Sequence, residues 1–171
     1  MTFIHPTAVI YPNVKIGENV YIGAYSVIGA PAEHPEVIDP RDPQQYGVCI
    51  GDNTIIRELV TINSGIYNNT MIGRFVTIMS HAHVGHDVNI FSRCILHSHC
   101  VIGGHSLLDE WCRVGLGAVL HQRTAIASGN MIGAQAFVKG TWNKPYRILA
   151  GVPAKDIGEN TRLIEKLKSM P

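Results

Sequence analysis

The chain has 171 residues, which is the usual size of one domain. Only 16% of its residues are charged and its formal net charge is +1, so no strong electric field favours nucleic acid or a membrane surface as partner. The sequence shows neither a basic and apolar leader nor a run of 18 apolar residues, so we expect a soluble, cytoplasmic protein.

A period of six residues runs through most of the chain. An aliphatic residue recurs at every sixth position over residues 4–28, again over 50–62, and without a break over 72–138. A small or medium residue stands four places after most of them, as Val76 follows Ile72. A helix would repeat at 3.6 and a plain strand at 2, so this period predicts an all-β fold, a parallel β-helix with three hexads per coil. The coil interior is filled, so any chemistry has to occur on the outer walls.

The period is interrupted twice, and each interruption predicts a loop. Residues 30–47 contain four prolines, which predicts a loop that projects from one corner of the coil. The step from Ile62 to Ile72 is ten residues, which predicts a second, smaller loop at about 64–70. Long insertions in compact domains are often functional. The alternative is an insertion that the fold tolerates and that has no function.

The β-helix is predicted to end near residue 155. Residues 151–155 read as a turn, and residues 156–171 form the predicted C-terminal segment, with one amphipathic helix of about three turns over 157–168. Cys94, Cys100 and Cys112 occupy the inward small-residue position, which predicts buried thiols. Cys94 and Cys112 would stack, but a disulfide is disfavoured in a reducing compartment.

The histidines give the strongest chemical signal in the sequence. Seven of the nine lie between His81 and His121, and the hexad frame turns His83, His86 and Asp87 outward. A neutral imidazole can take a proton from a hydroxyl or amine, and a neighbouring carboxylate can fix its tautomer. Backbone N–H groups at a glycine-rich turn, such as Gly103-Gly104, can hold an oxyanion. A metal site is the main rival use of these histidines. The wall offers few acidic or thiolate ligands, and we predict no metal, although the spacing alone also permits a zinc site made by histidines of two subunits.

Several segments resemble one known family. They are Ile50-Gly51-Asp52-Asn53, the stretch from Arg57 to Ile62, the stretch from His83 to Asp87, Gly103-Gly104-His105, and Val119-Leu120-His121-Gln122. The chain resembles the left-handed hexapeptide-repeat acyltransferases, and among them the UDP-N-acetylglucosamine O-acyltransferases of lipid A synthesis. The resemblance implies a left-handed β-helix, an exception to the right-handed crossover rule. It also implies a homotrimer with its active sites in the grooves between subunits.

The resemblance assigns roles to individual positions. It implies that His86 is the general base, Asp87 its partner and Gly104 the oxyanion donor. The implied substrate-binding residues are His34, His83, His105, His121 and Gln122, and the implied donor-binding residues are Gly133, Ala134, Arg147 and Lys155. His34 stands where the family usually has an aspartate, and Ala134 stands where the family measures acyl length, which disfavours a very long chain. Residues 151–155 are similar to the closing motif of acetyl-CoA-dependent sugar acetyltransferases, whereas the family's long C-terminal helical region is absent.

We therefore predict an acyltransferase for a nucleotide-linked sugar of surface polysaccharide or lipopolysaccharide. A short acyl group, favoured as acetyl, would pass from acetyl-CoA, or else from an acyl carrier protein, to a hydroxyl or amine, with no permanently bound cofactor. One alternative is a γ-type carbonic anhydrase, but its histidine pair would require His at position 91, where Phe91 stands. A non-catalytic trimeric binding module is the other alternative.

Overall fold

The structure, a computed structural model, describes residues 1–35, 37, 39, 41 and 45–170. These residues form 23 strands and one helix. In chain order they are β1 (Phe3–Ile4), β2 (Val9–Ile10), β3 (Val14–Ile16), β4 (Tyr21–Ile22), β5 (Val27–Ala30), β6 (Val48–Ile50), β7 (Ile55–Ile56), β8 (Thr61–Asn63), β9 (Thr70–Ile72), β10 (Thr77–Ile78), β11 (His83–Val84), β12 (Asn89–Ile90), β13 (Ile95–Leu96), β14 (Val101–Ile102), β15 (Leu107–Leu108), β16 (Arg113–Val114), β17 (Val119–Leu120), β18 (Ala125–Ile126), β19 (Met131–Ile132), β20 (Phe137–Val138), β21 (Thr141–Trp142), β22 (Arg147–Gly151), β23 (Ala154–Glu159) and α1 (Thr161–Lys168).

Every third strand joins the same sheet, so the chain winds through three parallel sheets in turn. Sheet A contains β1, β4, β7, β10, β13, β16, β19 and β22, with β23 at its edge; sheet B contains β2, β5, β8, β11, β14, β17 and β20; sheet C contains β3, β6, β9, β12, β15, β18 and β21. In the uninterrupted coils, residues 18 apart are partners, as Ile78 pairs with Leu96 and Val84 with Ile102. The predicted stacking of the hexads is confirmed.

The interior is filled by the two inward positions of each hexad. Every aliphatic residue of the period from Ile22 to Val138 is buried, and so are its small partners from Val76 to Ala136. The first coil is less covered, with Ile4 40% exposed, because no coil lies beneath it. The three inward cysteines are buried free thiols; that of Cys94 donates to the Asp109 carbonyl oxygen at 3.1 Å.

The corners between sheets are tight turns with a residue in the left-handed backbone region. At the corner after sheet B, Asp87 and His105 have φ of 56° and 59°, and Arg123, 18 residues further, has φ of 61°. Left-handed backbone costs a non-glycine residue about 1–2 kcal/mol. Hydrogen bonds between coils offset this cost, such as that from His105 N–H to the His86 carbonyl oxygen at 2.9 Å. The corner therefore stacks side chains from successive coils into one outward column.

The two predicted loops meet beside this corner. The first leaves the coil after β5 and returns at β6; its residues 36, 38, 40 and 42–44 lie outside the described residues. The second connects β8 to β9. Gly47 N–H, at the end of the first loop, donates to Asn69 Oδ1 in the second at 2.8 Å. Asn63 anchors the start of the first loop by donating from Nδ2 to the Pro31 carbonyl oxygen at 2.9 Å.

The C-terminal segment differs from the sequence-based prediction. Residues 154–159 form β23, which pairs antiparallel with β22 around the turn at 152–153, where the prediction has a turn and the start of a helix. The helix begins at Thr161, after Asn160 accepts a hydrogen bond from Leu163 N–H as its N-cap, and it has eight residues rather than three turns. Within the described part of the chain, no helix has the length and apolar character needed to cross a membrane.

Candidate functional site

His86 and Asp87 form a buried pair at the corner between sheets B and C. His86 Nδ1 lies 2.8 Å from Asp87 Oδ2, and the two side chains are 11% and 3% exposed. An ionised carboxylate can only accept hydrogen bonds, so His86 carries its proton on Nδ1 and leaves a lone pair on Nε2. The pair therefore has the proton arrangement of a general base with an orienting acid.

The second loop holds the carboxylate of Asp87. The backbone N–H of Ile66 donates to Oδ2 at 3.0 Å, and those of Tyr67 and Asn68 donate to Oδ1 at 2.9 and 2.7 Å. Burial alone would raise the pKa of Asp87, but these N–H groups and the His86 ring together lower it. The ten-residue step in the sequence predicts a loop here. It does not predict that the loop binds Asp87, because the donors are backbone N–H groups, which every residue type except proline has.

Gly104 lies directly against the ring of His86. A Cβ atom at this position would stand 2.6 Å from His86 Nε2, so only glycine leaves room for the imidazole. Among the described residues, nothing accepts a hydrogen bond from the Gly104 N–H. A backbone donor and a basic nitrogen thus lie side by side, as an oxyanion site and its base require.

Three further rings surround the pair. The His105 ring meets that of His86 edge to face at 4.8 Å, and its Nδ1 lies 4.0 Å from Asp87 Oδ2. Burial lowers the pKa of His105, and the negative charge of Asp87 only partly opposes this shift. The lowered pKa favours a neutral ring at pH 7. His34 packs edge to face on His86 at 5.2 Å, and Tyr67 stacks on His105 at 5.8 Å. Sequence reasoning found His34 and His105 but missed Tyr67, whose place in the second loop was the available signal.

His83 lies on the outer face of sheet B, three residues before His86. Its Nδ1 is 2.8 Å from Thr61 Oγ1, on the strand of the preceding coil. Burial lowers the pKa of His83, and the charge of Glu33 in the first loop opposes this shift. The structure thus places His83 on the same wall as the pair.

His121 and Gln122 occupy the same corner as His86, further along the stack. The backbone N of Gln122 would lie 2.5 Å from a Cβ at Gly103, which puts the two residues on adjacent coils. His121 Nδ1 lies 3.1 Å from the Gln122 carbonyl oxygen, and its ring meets Phe137 at 6.1 Å. Both predicted residues are exposed.

The predicted donor-binding residues lie elsewhere on the chain. Gly133 and Ala134 follow β19 at the corner between sheets A and B, and Lys155 is exposed on β23. Arg147 Nε is 2.9 Å from Asp156 Oδ2, and its Nη1 is 3.5 Å from Glu159 Oε1. A single chain therefore does not bring these residues to the His86–Asp87 corner.

His86, Asp87 and His105 also have the spacing of a metal site, with one ligand atom from each within 4.8 Å of the others. The donor set fits a metal poorly. Asp87 already accepts four N–H groups, three from the second loop and one from His86, and a carboxylate has about four lone-pair sites. A metal ion would have to displace these donors. This supports the prediction that the site binds no metal, which remains a prediction.

The family model "Bacterial transferase hexapeptide (six repeats)" matches residues 1–30. The same repeat continues through the coils described above. The chain is a hexapeptide-repeat β-helix protein. It is 34% identical over 126 residues to the acyl-[acyl-carrier-protein]–UDP-N-acetylglucosamine O-acyltransferase of Campylobacter concisus. That match covers 71% of this chain and 47% of the relative, so it spans about half of the relative's length.

Solved structures share the fold. The UDP-N-acetylglucosamine acyltransferase of Arabidopsis superposes with a TM-score of 0.81 at 22% identity, over 98% of this chain and 78% of that one. The Bacillus cereus N-acyltransferase AntD, in complex with dTDP and coenzyme A, superposes with a TM-score of 0.66 at 18% identity, over 91% of each chain. The predicted fold class, a left-handed parallel β-helix with one short C-terminal helix, is confirmed.

Proposed function

We propose that this hexapeptide-repeat protein is an acyltransferase that moves an acyl group from a thioester to a hydroxyl or amine of a nucleotide-linked sugar. The observation that carries the proposal is the buried His86–Asp87 pair. The Nε2 lone pair of His86 lies beside the N–H of Gly104, for which no described residue is an acceptor. The substrate class comes from the Campylobacter concisus relative, a UDP-N-acetylglucosamine O-acyltransferase. Because the interior of the β-helix is filled, the proposed reaction takes place on its outer surface, where these histidines lie.

The proposed reaction is one acyl transfer. His86 Nε2 takes the proton of the acceptor hydroxyl or amine while the oxygen or nitrogen attacks the thioester carbonyl carbon. The tetrahedral oxyanion accepts a hydrogen bond from Gly104 N–H. The C–S bond then breaks, and the imidazolium of His86 returns the proton to the departing thiolate. Asp87 stabilises the imidazolium between the two steps and stays ionised, because its hydrogen bonds lower its pKa.

We infer a short acyl chain, with acetyl-CoA as the favoured donor and acyl carrier protein as the second. Ala134 supports a short chain, because it stands where the resembled family measures acyl length. The likeness of residues 151–155 to the closing motif of sugar acetyltransferases motivates acetyl-CoA. The name of the Campylobacter relative motivates the second. In either case the acyl donor is a co-substrate, and the proposed place of the reaction is the cytoplasm.

We further infer a homotrimer. Gly133 and Ala134 occupy a different corner from His86, so donor and acceptor residues need two chains to meet. Sheet B also carries exposed apolar side chains, with Val101 and Val119 each 37% exposed, that a neighbouring copy would cover. Sedimentation velocity tests this: a single trimeric species is expected, and a monomer at assay concentration would contradict it.

The experiment is a matrix of donors and acceptors. Purified protein is mixed with acetyl-CoA, longer acyl-CoAs or acyl carrier proteins, and with a panel of UDP- and dTDP-linked sugars and amino sugars. We expect acceptor-dependent release of free thiol and an acylated sugar by mass spectrometry. No turnover with any pair, together with stoichiometric zinc and hydration of carbon dioxide, would replace the proposal with the metal-enzyme alternative.

A further inference from the structure

The imidazole of His83 is held by a hydroxyl group. Its Nδ1 lies 2.8 Å from Thr61 Oγ1, and the two residues face each other across parallel strands β11 and β8. Either atom could donate in this bond, and the two choices give opposite tautomers of His83. The choice decides what His83 can offer a substrate.

The hydroxyl of Thr61 has one proton to donate. Among the described residues, the ring of His83 is its only hydrogen-bond partner. If Thr61 donates to Nδ1, the hydroxyl proton is used and the ring proton of the neutral imidazole stands on Nε2. If Nδ1 donated instead, no described residue would accept the hydroxyl proton, which would be left to solvent because Thr61 is exposed.

The neighbouring imidazole is held the other way. Asp87 can only accept, so His86 has its proton on Nδ1 and a lone pair on Nε2. Two imidazoles three residues apart would then present the same atom, Nε2, in opposite states: a bare lone pair on His86 and an N–H group on His83. One is ready to take a proton and the other to donate one.

We propose that Thr61 is a positioning residue that holds His83 in the Nε2–H tautomer, so that His83 donates a hydrogen bond to an oxygen of the substrate. The role toward a substrate rests on the proposed acyl transfer; the tautomer does not. An acceptor sugar offers such oxygens in its hydroxyl, carbonyl and phosphate groups. In this arrangement His83 holds the substrate by an oxygen, and only His86 removes a proton. The two histidines therefore cannot exchange roles.

The test reads the tautomer directly in the free protein. ¹⁵N-histidine-labelled protein is studied by NMR above the pKa of His83, with the His83→Gln spectrum assigning the signals. The wild-type protein and Thr61→Ser are expected to show a bare Nδ1 and a protonated Nε2. Thr61→Val, which keeps the shape but lacks the hydroxyl, is expected to give a mixture of tautomers. Thr77→Val, on the outer face of sheet A, is the matched control and should leave the His83 signals unchanged.

A protonated Nδ1 in the wild-type protein, or no change in Thr61→Val, would overturn the proposal. Once a substrate pair is known, Thr61→Val should raise the KM for the acceptor by about 2- to 13-fold, the ratio that one hydrogen bond represents. Thr61→Ser should restore the KM, and kcat should stay unchanged in both variants. If the tautomer is as proposed but every substrate pair fails, the acyl-transfer proposal falls and the assignment at His83 stands.

Discussion

The Nε2 atom of His86 lies 2.6 Å from the point where a side chain at Gly104 would begin. The two residues come from adjacent coils, and this contact is what brings a basic nitrogen next to a free backbone donor. It also makes the site sensitive to one added methyl group.

Replacing Gly104 with Ala should therefore remove activity without unfolding the coil. The new Cβ would push the imidazole away from Asp87 or away from the N–H of residue 104, and either shift separates base from oxyanion donor. We expect kcat to fall by about 10²- to 10³-fold, as for the loss of one oxyanion donor. Circular dichroism serves as the folding control. Wild-type turnover in a folded Gly104→Ala protein would contradict this reading of the contact.

Asp87→Asn should destabilise the protein at neutral pH more than at low pH. The amide group would turn an NH₂ toward backbone donors that now point at a carboxylate, and we expect a loss of about 1.5–3 kcal/mol at pH 7. Hydrogen bonds lower the folded-state pKa of Asp87, so its stabilisation is complete above the unfolded value near 3.9 and disappears as the pH falls through the folded value.

Urea unfolding of both proteins at pH 7 and at pH 3 measures this difference. Asp52→Asn is a control on a more exposed carboxylate, which accepts from Glu18 N–H and pairs with Arg74, and it should cost less. A destabilisation by Asp87→Asn that stayed constant between the two pH values would show that ionised Asp87 is not the group that matters.

Gly65→Ala should disable the site through the second loop. A Cβ at Gly65 would stand 1.5 Å from the Asn68 carbonyl oxygen, so the loop must open and withdraw its N–H groups from Asp87. Activity should fall while the coil keeps its structure, and backbone amide exchange at residues 66–68 should speed up. Unchanged exchange at these three amides would mean that the loop tolerates the side chain.

Thr70→Val should stabilise the protein. The Thr70 hydroxyl is fully buried and has no hydrogen-bond partner among the residues that the structure describes, whereas Val has the same shape without the polar atom. We expect a gain of about 1 kcal/mol in the free energy of unfolding, measured by urea denaturation.

Thr54→Val is the matched control for that substitution. Thr54 is equally buried, but its hydroxyl donates to the Gly73 carbonyl oxygen at 2.9 Å and accepts from Val76 N–H at 3.2 Å. The same change at Thr54 should destabilise by about 1–3 kcal/mol. Equal effects at the two positions would show that the hydrogen bonds of the hydroxyl do not decide the outcome.

The coil could be predicted from the sequence because its period is carried by side chains that must point inward. The register that buries the aliphatic residues from Ile72 to Val138 also turns His83 and His86 outward. The repeat therefore predicts that these two side chains lie on the outer surface. The hairpin of β22 and β23 could not be predicted in the same way. Residues 154–159 have no alternating pattern, and contacts across the hairpin, such as Arg147 with Asp156, do not follow the 18-residue spacing of the coils.

The rest of the site depends on backbone atoms. The hold on Asp87 comes from three N–H groups of the second loop, which any residues there would provide. The resemblance predicts the role of Gly104, and the structure shows that only glycine leaves room there for the His86 ring. The donor-binding roles of Gly133, Ala134, Arg147 and Lys155 stay predictions, because one chain does not bring them to His86.

The most direct test of the account is turnover by His86→Ala beside the wild-type protein, under single-turnover conditions with the substrate pair that the donor and acceptor matrix identifies. His5→Ala, an exchange of a histidine in the first coil, is the control. We predict a fall of about 10²- to 10⁴-fold for His86→Ala, with the fold and substrate affinity retained, and no change for His5→Ala. A His86→Ala protein that acylates its acceptor at the wild-type rate would contradict the account.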